Sequence, residues 1–91
     1  MYYTYILYSE KVDRYYVGYT SDLEERLRRH HDNRVSFTSK RGPWELVWFK
    51  TFDSKSEAYA CERLIKKKKN RKYIETLILN FNQETPSSSV R

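Results

Sequence analysis

Three short runs rich in aromatic and β-branched residues predict β-strands. Residues 2–9 and 15–19 form the first two, because Tyr, Ile, Thr and Val favour an extended backbone. The polar segment 10–14 between them predicts a hairpin loop. The third run, residues 44–49, reads Trp-Glu-Leu-Val-Trp-Phe. The chain is therefore expected to contain a three-stranded sheet.

Helix start signals follow the second and third strands. Ser21 and Ser54 each precede a glutamate by three residues, which is the pattern of a capping box. Asn70 is the expected cap of a last helix. The predicted helices run from these caps to about His31, about Lys69 and about Asn80.

The predicted order is β-β-α-β-α-α, an α+β fold with a three-stranded, mostly antiparallel sheet flanked by helices. Residues 32–43 show no periodicity and contain Asn, Ser, Thr, Gly and Pro, so they predict a loop. With 91 residues the chain suffices for one compact domain, which we expect to cover residues 1–81. Residues 82–91, which include Pro-Ser-Ser-Ser, are expected to be a disordered tail.

Charge adds a candidate partner. The chain carries 18 Lys and Arg against 12 Asp and Glu, a net charge of +6. A basic surface favours a polyanion, because each cation that meets a phosphate releases a counterion, although ordinary solubility explains the charge equally well. The nine tyrosines are a further hint, because every phenol carries a hydroxyl that needs a partner or a function.

The sequence also indicates a compartment. The single cysteine, Cys61, excludes an internal disulfide and a multi-cysteine zinc site, and it fits a reducing environment. The amino-terminal residues lack a basic leader followed by an apolar run, and no apolar stretch approaches the ~20 residues needed to cross a bilayer. We therefore expect a cytoplasmic protein.

The first helix carries polar residues beside its buried stripe. At about 100° per residue, Arg26 and His30 share an arc with Leu23 and Leu27, which are the only large aliphatic residues of the helix and must face the sheet. Side chains of this kind often just cover the border of a core. A functional site is the alternative.

The second helix also has a polar residue on its buried side, in this case a carboxylate. Glu62 shares an arc with Ala58, Cys61 and Ile65. A carboxylate on a buried face costs free energy unless it is paired or binds a cation. Glu62 is therefore either half of a structural ion pair, with Lys66 one turn on, or a metal ligand or general acid/base.

Strand alternation places two tyrosines near a glycine. Tyr5 shares a face with Tyr3 and Leu7, and Tyr16 shares a face with Gly18. Glycine within a strand often marks close approach of another group, so Gly18 predicts a notch beside a phenol. Packing of the rings in the core is the simpler explanation.

Taken together, these residues resemble the GIY-YIG nuclease superfamily, in its small single-domain branch. The first motif is Tyr3-Thr4-Tyr5 and the second is Tyr16-Val17-Gly18, eleven residues on by their tyrosines. Arg26 follows Tyr16 by ten residues, His30 lies one helical turn later, and Glu62 lies on the next helix. The resemblance covers residues 2–80, and the set in this order is far more specific than either short motif alone.

The resemblance implies metal-dependent hydrolysis of DNA phosphodiester bonds, in DNA repair or structure-specific cleavage. It implies that Tyr5 accepts a proton from the attacking water, helped by His30 or Tyr16. Arg26 would clamp the phosphate, for which its fork of donors is suited. Glu62 would hold Mg²⁺ or Mn²⁺, because such an ion needs few protein ligands once phosphate is bound. We expect Arg26 and the metal to lower the Tyr5 pKa.

Basic residues outside this set are candidates for binding the DNA backbone. Some relatives have a lysine where this chain has Tyr19, and Lys40 or Arg41 is the candidate substitute for it. A basic run at the end of the second helix also predicts phosphate contacts, or else a solvated helix end. The candidates in that run are Lys66, Lys67, Lys69 and Arg71.

Two other functional classes are compatible with the sequence. A non-catalytic nucleic-acid-binding module of the same fold would keep the basic face without cutting DNA. A protein-interaction domain would show only weak DNA binding, with a shallow dependence on salt.

Overall fold

The computed structural model describes residues 1–32, 39–68 and 70–84, with only the backbone described for residues 82–84. Its elements follow the predicted order β-β-α-β-α-α. They are β1 (Tyr2–Ser9), β2 (Arg14–Thr20), α1 (Leu23–His31), β3 (Glu45–Phe52), α2 (Lys55–Lys68) and α3 (Arg71–Glu84). The α+β fold class predicted from the sequence is confirmed.

The sheet has the order β2-β1-β3 and is antiparallel throughout. In the β1–β2 hairpin, Tyr5 lies opposite Gly18. In the β1–β3 pair, Tyr5 lies opposite Phe49, and an irregularity in register follows between Ile6 and Leu7. The central strand thus places Tyr5 between two neighbouring strands.

One apolar cluster lies on each face of the sheet. On one face Tyr5, Leu7 and Trp44 are buried, and Leu23 and Leu27 of α1 pack against them. On the other face Ile6, Val17, Trp48 and Ile65 are buried, with α2 and α3 packed against them. The predicted inward orientation of Leu23 and Leu27 is therefore confirmed.

The helix caps follow the sequence signals with one exception. Ser54 Oγ accepts a hydrogen bond from the Glu57 amide at 3.2 Å, and Asn70 Oδ1 accepts one from the Lys72 amide at 2.9 Å. The prediction that Ser21 caps α1 is wrong. Asp22 is the cap instead, because its carboxylate accepts from the Glu25 amide at 3.1 Å.

The carboxyl-terminal helix is longer than predicted. α3 continues through Glu84 rather than ending near Asn80, because no glycine or proline interrupts the chain before Pro86. Half-buried Phe81 packs edge-on against Phe49 of β3, at 5.5 Å between ring centroids, and anchors this last part of α3. The rest of the expected tail, residues 85–91, lies outside the described residues. Within the described residues, every helix is too short or too polar to cross a membrane.

Candidate active site

Tyr5 and His30 form the buried centre of the site. The Tyr5 side chain is fully buried, and His30 is 2% exposed. The Tyr5 hydroxyl lies 3.1 Å from His30 Nε2, within hydrogen-bonding distance. Periodicity predicts His30 at the border of the α1 stripe, and the structure places it deeper, because its ring packs against both Tyr5 and Tyr16.

Gly18 makes this arrangement possible. A methyl group built on Gly18 would lie 2.7 Å from the Tyr5 hydroxyl oxygen and 2.9 Å from Cζ of the same ring. It would also approach the Tyr16 ring to 3.2 Å. The notch predicted at Gly18 is therefore present, and the phenol of Tyr5 from the neighbouring strand fills it.

Tyr16 completes an aromatic triangle on the same face. Its ring centroid lies 5.0 Å from that of His30, with the rings inclined at 64°. The Tyr5 and Tyr16 centroids are 6.3 Å apart. Edge-on contacts of this kind fix ring orientation, so two phenols and one imidazole are held together in a definite geometry.

Arg26 reaches the same centre from α1. Its guanidinium is close enough to lower the Tyr5 pKa, and its charge also lowers the His30 pKa. The side chain is half-buried and lines an open groove together with Tyr19 and Lys55. Arg26 thus links the buried Tyr5–His30 centre to a solvent-accessible groove.

Burial controls the protonation of this centre. Burial raises the Tyr5 pKa well above its ordinary value of 10, and neighbouring Tyr16 and Glu62 raise it further, outweighing Arg26. The expected lowering of the Tyr5 pKa by Arg26 is therefore present, but burial outweighs it. Burial, with Arg26 and His31, lowers the His30 pKa to about 4. At neutral pH the pair consists of a neutral phenol and a neutral imidazole.

Glu62 approaches from the opposite face of the sheet. It projects from α2, is 9% exposed, and its carboxylate is close enough to raise the Tyr5 pKa. Glu62 Oε2 lies 2.6 Å from Lys66 Nζ, so the ion pair considered from the sequence is formed. Solvent still reaches this ion pair, because the Lys66 side chain is 54% exposed and both residues line an open groove.

The residues around Glu62 fit a metal ion that keeps most of its coordination for water and phosphate. Within the described residues no group of three or more His, Cys, Asp or Glu side chains could enclose an ion. Glu62 is a single carboxylate at the wall of a solvent-accessible groove, and a cation already lies against it. This donor set suits a hard divalent cation that is held by one carboxylate plus substrate oxygens, and it does not suit a closed metal cage.

Several of the candidate phosphate-binding cations lie along grooves beside the site. Lys66 and Lys67 line the groove that contains Glu62. Lys40 lines a depression with His30 and His31 on the α1 side, and Arg41 is exposed one residue further on. Lys69 lies outside the described residues.

Arg71 occupies a different environment from the other cations. It donates to Asp13 Oδ1 at 2.6 Å and to Glu75 Oε2 at 3.1 Å, and it lies over the Tyr15 ring at 5.2 Å. Two carboxylates already balance its charge. The structure thus gives Arg71 a place in tying the hairpin loop to α3, and these ion pairs compete with the phosphate contact expected from the sequence.

Three residues of the surrounding surface were not candidates for the site from the sequence, where Tyr19 was noted only as standing in place of a lysine of some relatives. Lys55 and Tyr19 line the groove with Arg26, and Tyr59 packs against Tyr19 at 5.4 Å between ring centroids. The spacing contained a signal for Tyr59, because it precedes Glu62 by three residues and so lies one helical turn from it.

Comparison with known proteins identifies the family. A family model described as the GIY-YIG catalytic domain matches residues 1–74. The chain belongs to the GIY-YIG family. The match indicates a nuclease-type function and an interaction with nucleic acid, and nucleases of this family generally use divalent metal ions.

Relatives of this GIY-YIG domain carry the name UPF0213, which states no activity. A UPF0213 protein of Streptococcus pyogenes is 42% identical over 71 residues, covering 76% of this chain and 75% of its own length. The solution NMR structure of a UPF0213 protein from Bacillus halodurans is 31% identical and superposes with a TM-score of 0.57, covering 99% of this chain and 100% of that one. The domain is thus similar in sequence and in fold to stand-alone proteins.

Proposed function

We propose that this GIY-YIG domain is a metal-dependent endonuclease that hydrolyses DNA phosphodiester bonds. The observation that carries the proposal is the convergence of Tyr5, Tyr16, Arg26 and His30 on one buried centre that is electrostatically coupled to Glu62. Neutral tyrosine and histidine side chains beside an arginine are suited to moving a proton next to an anion.

The contact between Tyr5 and His30 supports a specific proton path. The raised pKa keeps the Tyr5 hydroxyl protonated at neutral pH, and a protonated phenol is a poor base, so Tyr5 needs a group to receive its own proton. Neutral His30 is that group, because Nε2 lies 3.1 Å away and its pKa of about 4 leaves it unprotonated at neutral pH. The Tyr5 oxygen accepts the proton of the attacking water while the Tyr5 proton passes to His30. This arrangement favours His30 over Tyr16 as the group that assists Tyr5 in accepting the proton of the attacking water.

Arg26 and Glu62 stabilise charge on either side of the reacting bond. Arg26 opens onto the groove and can donate two parallel hydrogen bonds to the phosphate. Glu62 would hold the Mg²⁺ or Mn²⁺ ion, which when bound supplies positive charge for the developing oxyanion of the leaving group. Lys66 must then leave Glu62, and its exposure allows it to turn toward the DNA backbone.

A non-catalytic nucleic-acid-binding module is the second candidate, and the Glu62–Lys66 ion pair favours it. In that case Lys66 satisfies the carboxylate permanently, and the groove binds DNA without admitting a metal ion. The two candidates share the basic surface and differ in whether a divalent cation displaces the ammonium.

The deciding experiment measures cleavage of branched, flapped and single-stranded DNA with Mg²⁺, Mn²⁺ or EDTA. The endonuclease predicts metal-dependent cleavage that disappears in Glu62→Ala. The matched control is Glu57→Ala, which removes an exposed carboxylate one turn and a half earlier on the same helix and should leave cleavage intact. Binding of DNA without cleavage under any metal would establish the second candidate instead.

A further inference from the structure

An aromatic pair with one exposed ring lies beside the candidate site. The Tyr19 and Tyr59 rings meet edge-on, with centroids 5.4 Å apart and planes inclined at 63°. Tyr59 is 44% exposed, which is unusual for a large aromatic residue in a domain this small. The Arg63 guanidinium lies 5.7 Å from the Tyr59 ring centroid and donates to the Tyr59 hydroxyl at 3.2 Å. The ring is thus held by two protein contacts while nearly half of the residue's surface stays open to solvent.

The position of the pair connects the two halves of the site. The groove of Arg26 also contains Tyr19 and Lys55, and an adjoining depression contains Tyr19, Lys55 and Tyr59. Tyr59 in turn lines the groove of Glu62. The surface therefore runs from Arg26 over the tyrosine pair to Glu62, and anything that spans both polar groups passes the exposed ring.

The chemistry of this surface matches single-stranded nucleic acid. Three cations, Lys55, Arg63 and Lys67, line or flank the exposed ring. A basic groove with an exposed aromatic ring is how proteins hold unpaired nucleotides, because cations contact the backbone and every base offers a face for stacking. A paired base inside a duplex has no free face to offer.

We propose that Tyr19 and Tyr59 form a stacking platform for one unpaired nucleotide next to the phosphodiester bond held between Arg26 and Glu62. The substrate class is then DNA with a single-stranded nucleotide at the cleavage position, such as a flap or an overhang. The position of the scissile bond rests on the proposed endonuclease function, whereas stacking itself requires no cleavage.

A second aromatic pair in the same chain provides the matched control. Tyr8 and Tyr15 lie 4.9 Å apart near the hairpin loop, with Arg71 over the Tyr15 ring. The charge of Arg71 is balanced by Asp13 and Glu75. The Tyr8–Tyr15 pair also lies at the other end of the β1–β2 hairpin from Tyr19. An aromatic pair alone should therefore not bind DNA there.

The test compares the affinity for two DNA hairpins by fluorescence anisotropy in EDTA. One hairpin carries a single unpaired adenine nucleotide at its end, and the other carries an abasic nucleotide at that position, so the phosphates are identical. The full chain should bind the adenine form ~5- to 100-fold more tightly, the range expected for one base stacked on an aromatic ring. Tyr59→Leu should reduce this ratio to below about twofold, and Tyr59→Phe should keep it.

The remaining variants sharpen the result. Tyr19→Leu should also lower the ratio, and Tyr8→Leu should leave it unchanged. A wild-type ratio near one, or an unchanged ratio in Tyr59→Leu, overturns the platform. Circular dichroism verifies that each variant is folded, and the abasic comparison on the wild-type protein is informative even where a variant is unstable.

The outcome is separable from that of the proposed endonuclease. Because the measurement contains no metal, a protein that never cuts DNA still shows the base-dependent ratio if the platform exists. Conversely, metal-dependent cleavage together with a ratio of one retains the endonuclease and removes only the platform.

Discussion

Substituting Gly18 by alanine tests how tightly the centre of the site is specified. The added methyl group would lie 2.7 Å from the Tyr5 hydroxyl oxygen, whereas ordinary contact begins at 3.4 Å, so the two atoms must separate by about 0.7 Å. Tyr5 is fully buried and cannot turn into solvent. The displacement therefore falls on the 3.1 Å contact with His30.

The expected magnitudes differ between stability and activity. Overpacking a core costs about 1–3 kcal/mol, and replacing a strand glycine by alanine returns about 0.5–1 kcal/mol, which leaves a net loss of about 0.5–2 kcal/mol. For a domain of this size that lowers Tm by roughly 2–16 °C. A displacement approaching 1 Å in a catalytic group costs about 100-fold in rate, so cleavage should fall much further than the loss of folded protein explains.

The assay measures cleavage and unfolding of Gly18→Ala beside Val17→Ala. Val17 is the neighbouring buried residue, but it faces the opposite cluster, so its truncation also destabilises the fold by about 1–3 kcal/mol without touching Tyr5. A second readout is the NMR signal of His30, which should shift in Gly18→Ala alone. Equal activity of the two variants at equal stability would refute the argument that Gly18 positions the phenol.

Three further predictions concern single residues. The His30 pKa is about 4 in the folded protein and 6.5 when the chain is unfolded, so unfolding takes up a proton between pH 4 and pH 6.5. The free energy of unfolding should therefore fall by up to about 3 kcal/mol from pH 7 to pH 4, and urea titrations of His30→Gln should lack this pH-dependent loss. Lys66→Met should tighten Mn²⁺ binding to Glu62 in calorimetry, and unchanged affinity would contradict competition between the two cations. Arg71→Gln should lower Tm with no change in the salt dependence of DNA binding, whereas Lys67→Gln should reduce the log-log slope by about 0.9.

Local periodicity accounts for the part of the structure that the sequence predicts. A strand has a period of two, so Tyr5 had to share a face with Leu7, and Gly18 with Tyr16. A helix has a period of 3.6, so Glu62 had to lie in the arc of Ile65. These relations depend only on backbone geometry, and the structure reproduces them together with the element order.

Properties that depend on tertiary distances were not predictable in the same way. The helical arc placed Arg26 and His30 together, but the depth that separates a half-buried guanidinium from a fully buried imidazole depends on how α1 packs on the sheet. The direction of the Tyr5 pKa shift was equally unpredictable from the sequence, because it depends on how far burial outweighs the charge of Arg26. The cap of α1 was misplaced by one residue, since Ser21 and Asp22 are both good caps and only the turn geometry selects Asp22.

β1 is hydrogen-bonded on both sides, and Tyr5 lies at its middle. Amides of a central strand exchange with solvent only when the whole sheet separates, whereas helix ends and loops open locally at little cost. We therefore expect the phenol to be held by one of the most slowly exchanging parts of the molecule. On heating, catalytic competence should persist until the cooperative transition itself and then disappear with it.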